Sequence, residues 1–365
     1  MQDKYANLPL EIKEVHLAKV RAYVDRLYLK PTLNQLFIVM TLNCNEHCRH
    51  CGSRCGDLKM QNQLTNQEIL DFLSDLKSKV DTLPFLNITG GEPMLRPNFI
   101  EVMHQISEMG YLWGMTTNGT LIDESMIDQL HYAGMKTVSV SIDGLEKTHN
   151  WFRQTEHGYR KSMKAIELLV KGNFHNVMVT TVVHKQNIDE LEEMYELMKS
   201  LGIHTWRIIN IEPIGRAKDN QELLLSKSDY KKMLDFIKEN REKEDAFEIC
   251  YGCNHWLGVE NEHKFRHWYF KCTAGIKTGG IFYNGDIGAC LDIERKPQTI
   301  QGNIRTDDFL DVWNHKFEIF RYNRANSSEY CRNCSEKNHC RGDGFHTWNL
   351  EENRPELCMF EQYCK

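Results

Sequence analysis

Between residues 36 and 211 the apolar positions follow two alternating periods. Short runs rich in β-branched and aromatic residues have the length and composition of strands: LFIVMTL (36–42), FLNIT (85–89), LWGMTT (112–117), KTVSVSI (136–142), NVMVTTVV (176–183) and HTWRIINI (204–211). Between them lie TNQEILDFLSDLKSKV, NFIEVMHQISEMG, DESMIDQLHYAG, YRKSMKAIELLVKGN and NIDELEEMYELMKSLG, where apolar residues recur every three or four positions. Several of these open on Thr, Asn or Asp, and three close at or beside a glycine, as helix caps require. Strands alternating with helices in this way predict a parallel α/β sheet of six units, two short of a full eight-stranded barrel. The segment 8–30 reads as an amphipathic helix packed against this body, and SKSDYKKMLDFIKENREKEDAFE (226–248) as a connecting helix. From about residue 250 the chain becomes rich in Gly, Cys and turn residues, the mark of a different kind of domain.

Composition narrows the picture. The 365 residues are 41% hydrophobic and 26% charged, with a net charge of −6, values of an ordinary globular chain. No basic block suggests a nucleic-acid groove. The N-terminus lacks a basic-then-apolar signal, and no apolar run approaches the roughly 18 residues of a membrane span, so a cytoplasmic, non-membrane protein is expected. Thirteen cysteines in a reducing compartment point to metal binding or thiol chemistry rather than disulfides. Four fall at 44–55 and nine between Cys250 and Cys364, leaving a long cysteine-free body.

The first group, TLNCNEHCRHCGSRCG (41–56), follows the first strand at its C-terminal end, where ligands bind in parallel α/β folds. Cys44, Cys48 and Cys51 are close enough in sequence to wrap one cuboidal cluster and leave one iron without a protein ligand. Cys55 is either a fourth ligand or a packed thiol. Structural zinc usually draws paired ligands from two separate segments, which a single triplet does not supply.

The CxxxCxxC triplet after strand one, together with six βα units and the motifs that follow, resembles the radical S-adenosylmethionine (SAM) superfamily. The resemblance implies a partial (β/α)6 TIM-like barrel. In it the three cysteines hold a [4Fe–4S] cluster, and the amino and carboxylate groups of SAM occupy the open iron. One-electron reduction then yields a 5′-deoxyadenosyl radical that abstracts a substrate hydrogen. NITGGEPML (87–95) is similar to the family's GGE motif, so Gly90, Gly91, Glu92 and Pro93 are expected around the methionine amino group. TTNGT (116–120) and SVSIDG offer Asn118 and Ser141 as donors to ribose and carboxylate. HNWFR offers Arg153 as a clamp on the carboxylate, with an ordinary surface cation as the alternative. His50 stands where the family favours an aromatic that packs on adenine, and INIEPIGRA (209–217) resembles the segment near adenine.

The tail resembles the SPASM extension of these enzymes, which implies two auxiliary [4Fe–4S] clusters. Cys272 and Cys290, joined by a Gly-x4-Cys spacing, are expected on the first, with Cys253 or Cys250 as a third ligand. Cys331, Cys334, Cys340 and Cys358 are expected on the second, and Cys364 can exchange with Cys358. The family's cysteine after Cys340 is replaced by Gly344, so the first auxiliary cluster has either an open iron or an unusual ligand such as Cys364. A zinc ribbon from Cys331 and Cys334 with another pair is the competing reading.

The domains expected are a helical segment at 1–34, the barrel at 35–215, a bridge at 216–265 and a Cys-rich SPASM domain at 266–365. By resemblance the substrate is a ribosomally made peptide or protein, to be crosslinked, converted to a thioether, epimerised or oxidised. The same chemistry on a small molecule such as a sugar is the alternative, and a non-catalytic iron–sulfur sensor a third. A flavodoxin- or ferredoxin-type donor would supply the electron. Sulfatase maturation is disfavoured because Leu291, not aspartate, follows Cys290. Asp292 is the candidate base, and Cys253 a candidate hydrogen-atom donor. The aromatic bridge CYGCNHWLGVENEHKFRHWYFKC (250–272) is either a substrate lid or a packed interface.

Overall fold

The computed structural model describes residues 8–57, 61–243 and 247–364, the Cys364 side chain excepted. All six predicted strands are present: β1 (Gln35–Val39), β2 (Phe85–Thr89), β3 (Trp113–Thr117), β4 (Thr137–Ser141), β5 (Asn176–Val183) and β6 (Thr205–Asn210). They pair in chain order and in parallel. After α1 (Leu10–Leu29), the helices α2 (Asn66–Lys79), α3 (Phe99–Glu108), α4 (Glu124–Tyr132), α5 (Glu146–Arg153), α6 (Gly158–Lys171) and α7 (Leu191–Leu201) connect these strands. Alternate strand residues, among them Leu36, Ile38, Leu86, Ile88, Val138, Val140, Val177, Val179, Trp206 and Ile208, form one continuous core. The result is the partial barrel that the resemblance implies.

The sheet is larger than six strands. After α8 (Lys227–Arg241), β7 (Glu248–Tyr251) extends it in parallel beyond β6. A turn of helix, α9 (Glu262–Phe265), follows. The tail then contributes β8 (Thr278–Ile281) in parallel to β1, and β9 (Asp286–Gly288) and β10 (Gly302–Asn303) antiparallel beyond it. Residues 244–246, the end of the predicted connecting helix, lie outside the described residues. The tail continues through α10 (Phe309–His315), α11 (Lys337–Cys340), a small ladder of β11 (Trp348–Asn349) with β12 (Arg354–Pro355), and α12 (Met359–Cys364).

Helix α1 differs from expectation in its partner. Leu17 packs with Trp256, Val259, Tyr269 and Phe270, and Val24 and Leu27 pack with Ile276. It therefore covers the bridge and tail rather than the six-stranded body. Its polar side reinforces this, through Arg341 to Asp25 at 2.7 Å and Lys277 to the Tyr23 hydroxyl at 3.1 Å. The same contacts show what the aromatic bridge does. Trp256, Tyr269 and His263 are buried at an interface, although Trp268 stays exposed.

Candidate functional site

The chain leaves β1 at Val39 and runs directly against the turn after β2. Gly91 N–H donates to the Thr41 carbonyl, and Glu92 N–H to that of Asn43, each at 2.8 Å. A Cβ on Gly91 would stand 2.2 Å from the Asn43 oxygen, and one on Gly90 2.4 Å from that of Thr41. The glycine pair is thus a steric condition for shaping the cysteine loop. From the other side, Arg216 clamps the loop. Its Nε donates to the Cys48 carbonyl at 2.7 Å and its Nη1 to that of Cys55 at 3.0 Å, while Asp57 neutralises it at 2.7 Å. Gly215, at φ +53°, lets this segment approach: a Cβ there would lie 2.2 Å from the Cys51 oxygen.

Cys44, Cys48 and Cys51 line one cavity of about 410 Å³ at the mouth of the barrel. Burial pushes the Cys44 thiol up to about 11 and that of Cys48 higher still. Hydrogen bonding from the Cys55 thiol draws Cys51 down to about 6 despite burial. Three converging thiols, one already inclined to thiolate, are a donor set that fits an iron–sulfur cluster. Cys55 itself is 2% exposed, packs against Val39, Leu42 and Phe282, and borders the same cavity.

His50, Gly90, Gly91, Asn118, Ser141 and Arg153 line the same cavity. His50 stacks on Phe152 at 4.5 Å, with His184 on the far face of Phe152 at 3.9 Å, and burial lowers its pKa to about 4. A neutral imidazole with an unpartnered buried Nδ1 suits packing against a nucleobase. The Asn118 amide is held by Asn45 at 2.7 Å and by Thr120, whereas the Ser141 hydroxyl has no partner among the described residues. Pro93, buried, starts the short turn behind the glycines.

Two charged residues are more engaged than their motifs suggest. Glu92 is fully buried and accepts from the Thr117 hydroxyl and the Asn118 amide at 2.9 Å, and from the Met94 amide at 3.3 Å. Burial nevertheless raises its carboxyl to about 7. Arg153 lies between Asp143 at 2.7 Å and Glu46 at 2.9 Å, all three nearly buried. Burial alone would raise Asp143, but Arg153, His50 and His149 hold it below the usual carboxylate range. Glu46, inside the cysteine triplet itself, was not singled out from sequence. Nor was Arg216, although GRA stood within a quoted motif.

In the tail, Cys331, Cys334, Cys340 and Cys358 lie near enough that their charges bear on one another, and they too fit an iron–sulfur cluster. Cys272 and Cys290 form a separate neighbouring pair. Cys253 is not brought to either group. It packs in the core between β6 and β7, accepting from the Asn210 amide at 3.2 Å, and does not line the cavity. Cys250 lies on β7, half-buried. Cys364 closes α12. Asp292 does line the cavity, exposed, 3.8 Å from Cys290 Sγ. Beside it stands His346, which pairs with Glu212 at 2.7 Å; sequence reading passed over both residues.

Comparison with known proteins agrees with this geometry. The family model for the radical SAM superfamily matches residues 38–198, and that for the SPASM iron–sulfur cluster-binding domain matches 272–335, together more than half of the chain. An AdoMet-dependent heme synthase of Methanosarcina barkeri is 28% identical over 83% of this chain and 88% of its own length. The mycofactocin maturase MftC of Mycolicibacterium smegmatis is 28% identical over 83% and 76%. Among solved structures, Streptococcus suis SuiB bound to S-adenosylmethionine superposes with a TM-score of 0.72 at 18% identity, over 92% of this chain and 78% of that one. Native anSMEcpe with AdoMet and the Kp18Cys peptide gives 0.72 at 22%, over 91% and 94%. No helix among the described residues is long and apolar enough to cross a membrane. The chain belongs to the radical SAM superfamily and carries a SPASM domain, and it is an enzyme whose cofactors are [4Fe–4S] clusters and S-adenosylmethionine.

Proposed function

We propose that this enzyme abstracts a hydrogen atom from a ribosomally made peptide or protein, leading to a crosslink, thioether, epimerisation or oxidation. The size of the cavity carries the reading. Pockets that enclose one drug-sized ligand span about 300–1,000 Å³. The 410 Å³ here must take the cluster and S-adenosylmethionine as well as the reacting group, so the reading has a side chain entering from the mouth and the remainder of a peptide lying outside. The likeness to a maturase, MftC, supports it.

In this reading Cys44, Cys48 and Cys51 hold the cluster that cleaves S-adenosylmethionine. His50, Gly90, Gly91, Asn118, Ser141 and Arg153 surround the cofactor, with Glu92 and Pro93 shaping the turn behind it. Cys331, Cys334, Cys340 and Cys358 hold an auxiliary cluster, and Cys272 and Cys290 bind in the other tail site. Asp292 on the cavity wall is the base. The enzyme works in the reducing cytoplasm with a flavodoxin- or ferredoxin-type donor.

Likeness to heme synthases at the same identity favours a second reading, the same radical chemistry on a small molecule. One experiment separates the two. The anaerobically reconstituted enzyme is given dithionite, S-adenosylmethionine and either a short peptide encoded beside its gene or iron coproporphyrin III, the porphyrin in the name of a further relative, an Fe-coproporphyrin III synthase of Methanosarcina barkeri 28% identical to this chain. A changed peptide mass with matching 5′-deoxyadenosine supports the first reading. Turnover of the porphyrin alone overturns it.

A further inference from the structure

Where the bridge meets the tail, three side chains converge that the cysteine chemistry does not use. Glu212 follows β6, His255 follows β7, and His346 lies in the tail two residues past Gly344. His255 Nε2 stands 2.7 Å from one oxygen of Glu212, and His346 Nε2 stands 2.7 Å from the other. The three candidate donor atoms all lie within 4.8 Å of one another. All three side chains are at least nine-tenths buried.

We propose that Glu212, His255 and His346 form a mononuclear site for a divalent transition-metal ion, bordering the substrate cavity through His346.

Two imidazoles and one carboxylate are the donor set of three-ligand zinc sites that keep an open position, and also of non-heme iron(II) sites. The surroundings are those of a prepared ligand sphere. Asp343 Oδ2 holds His255 Nδ1 at 2.8 Å and so turns Nε2 toward the centre, the usual carboxylate support of a metal-bound histidine. The other oxygen of Asp343 accepts from the Trp256 amide at 2.6 Å, and Arg266 grips the His255 carbonyl at 2.9 Å. Gly344 completes the arrangement. A Cβ there would meet the His346 ring at 2.4 Å and the Asn254 carbonyl at 2.5 Å, so the residue that displaces a SPASM cysteine also makes room for this imidazole.

Charge agrees with the assignment. A divalent ion bound to two neutral imidazoles would balance the carboxylates of Glu212 and Asp343 in this buried setting and supply directional bonds. The open coordination position would take an oxygen donor, a carboxylate or peptide carbonyl, from a substrate in the cavity beside His346.

Zinc is the probe for the test. The full-length enzyme, with its clusters reconstituted anaerobically, is equilibrated with Zn²⁺ against a competing chelator and freed of unbound metal. About one zinc per chain beyond the iron and sulfide is expected, with an X-ray absorption shell of nitrogen and oxygen that includes two imidazoles. Glu212→Gln and His346→Asn are each expected to weaken zinc binding at least about tenfold while leaving iron and sulfide content unchanged. No stoichiometric zinc, a shell containing sulfur, or parent-like affinity in Glu212→Gln overturns the proposal. Should a variant also lose iron through misfolding, the spectrum of the unmodified enzyme decides by itself.

Discussion

At Gly91 a single added methyl would stand 2.2 Å from the Asn43 carbonyl, a backbone atom that cannot swing aside. Gly91→Ala is therefore expected to push the cysteine loop off the β2 turn, costing about 1–3 kcal/mol as overpacking. Iron bound at the triplet should fall with it, read as a lower iron-to-protein ratio after reconstitution; full iron content with a parent-like melting temperature would refute the steric account. Glu92 makes a complementary case. Its carboxylate accepts from a hydroxyl and two amides, so the NH₂ of Glu92→Gln would face donors. The loss expected is about 1–3 kcal/mol, measured by chemical denaturation of the reconstituted enzyme. The GGE letters were legible through their resemblance to a family motif following the cysteine triplet; alone they read as a strand-to-helix turn. Arg153 was legible as a cation but not in its surroundings. Glu46 lies 107 residues earlier in the chain, and no spacing reveals a tertiary ion pair.

At the scale of elements, the six barrel strands announced themselves through β-branched and aromatic runs. Strands β7 and β8 did not. EICY and TGGI are short, carry Glu, Cys or Gly, and acquire strand geometry only by pairing with β6 and β1. The same dependence on distant partners appears at the start of α2. Thr65 and Glu68 form a capping box, and Arg305 from the tail binds Glu68 at 2.5 Å. Hydrogen bonding from Arg305, together with the Thr65 backbone, holds the Glu68 carboxyl down to about 2. A depressed acid contributes stability above its unfolded pKa, and that stability fades as pH falls toward the folded value. Arg305→Ala should thus lower the melting temperature at pH 7 by about 2 °C, corresponding to at most about 1 kcal/mol, since both groups are a third exposed. The gap to the parent should narrow as pH drops from 4.5 toward 2. A gap independent of pH would mean the pair contributes through packing alone.

At the scale of the molecule, the boundary between barrel and tail is not a boundary in the sheet. The parallel ladder runs unbroken from β8 through β1 to β7, and β9 and β10 extend the sheet antiparallel beyond β8. The cavity follows the same rule: the triplet loop forms one wall, and Asp292, Phe345 and His346 from the tail form part of the other. A tail that supplies a neighbouring strand to β1 cannot unfold without exposing the backbone edge of β1 and its apolar face. The tail should therefore open together with the barrel rather than as an independent module. Hydrogen exchange on the reconstituted enzyme measures this directly, because amides of Leu36–Ile38 in β1 and Gly279–Ile281 in β8 share one ladder. Their opening free energies are expected to agree within about 1 kcal/mol and to rise together when S-adenosylmethionine is added, since ligand binding stabilises the closed state of everything coupled to it. If β8 exchanged by a much easier route while β1 stayed protected, the tail would be a lid hinged on a self-sufficient barrel, and substrate access would be governed by its opening. Agreement instead means that substrate enters a preformed mouth, so variants in the bridge should alter cluster retention in the barrel as well as in the tail.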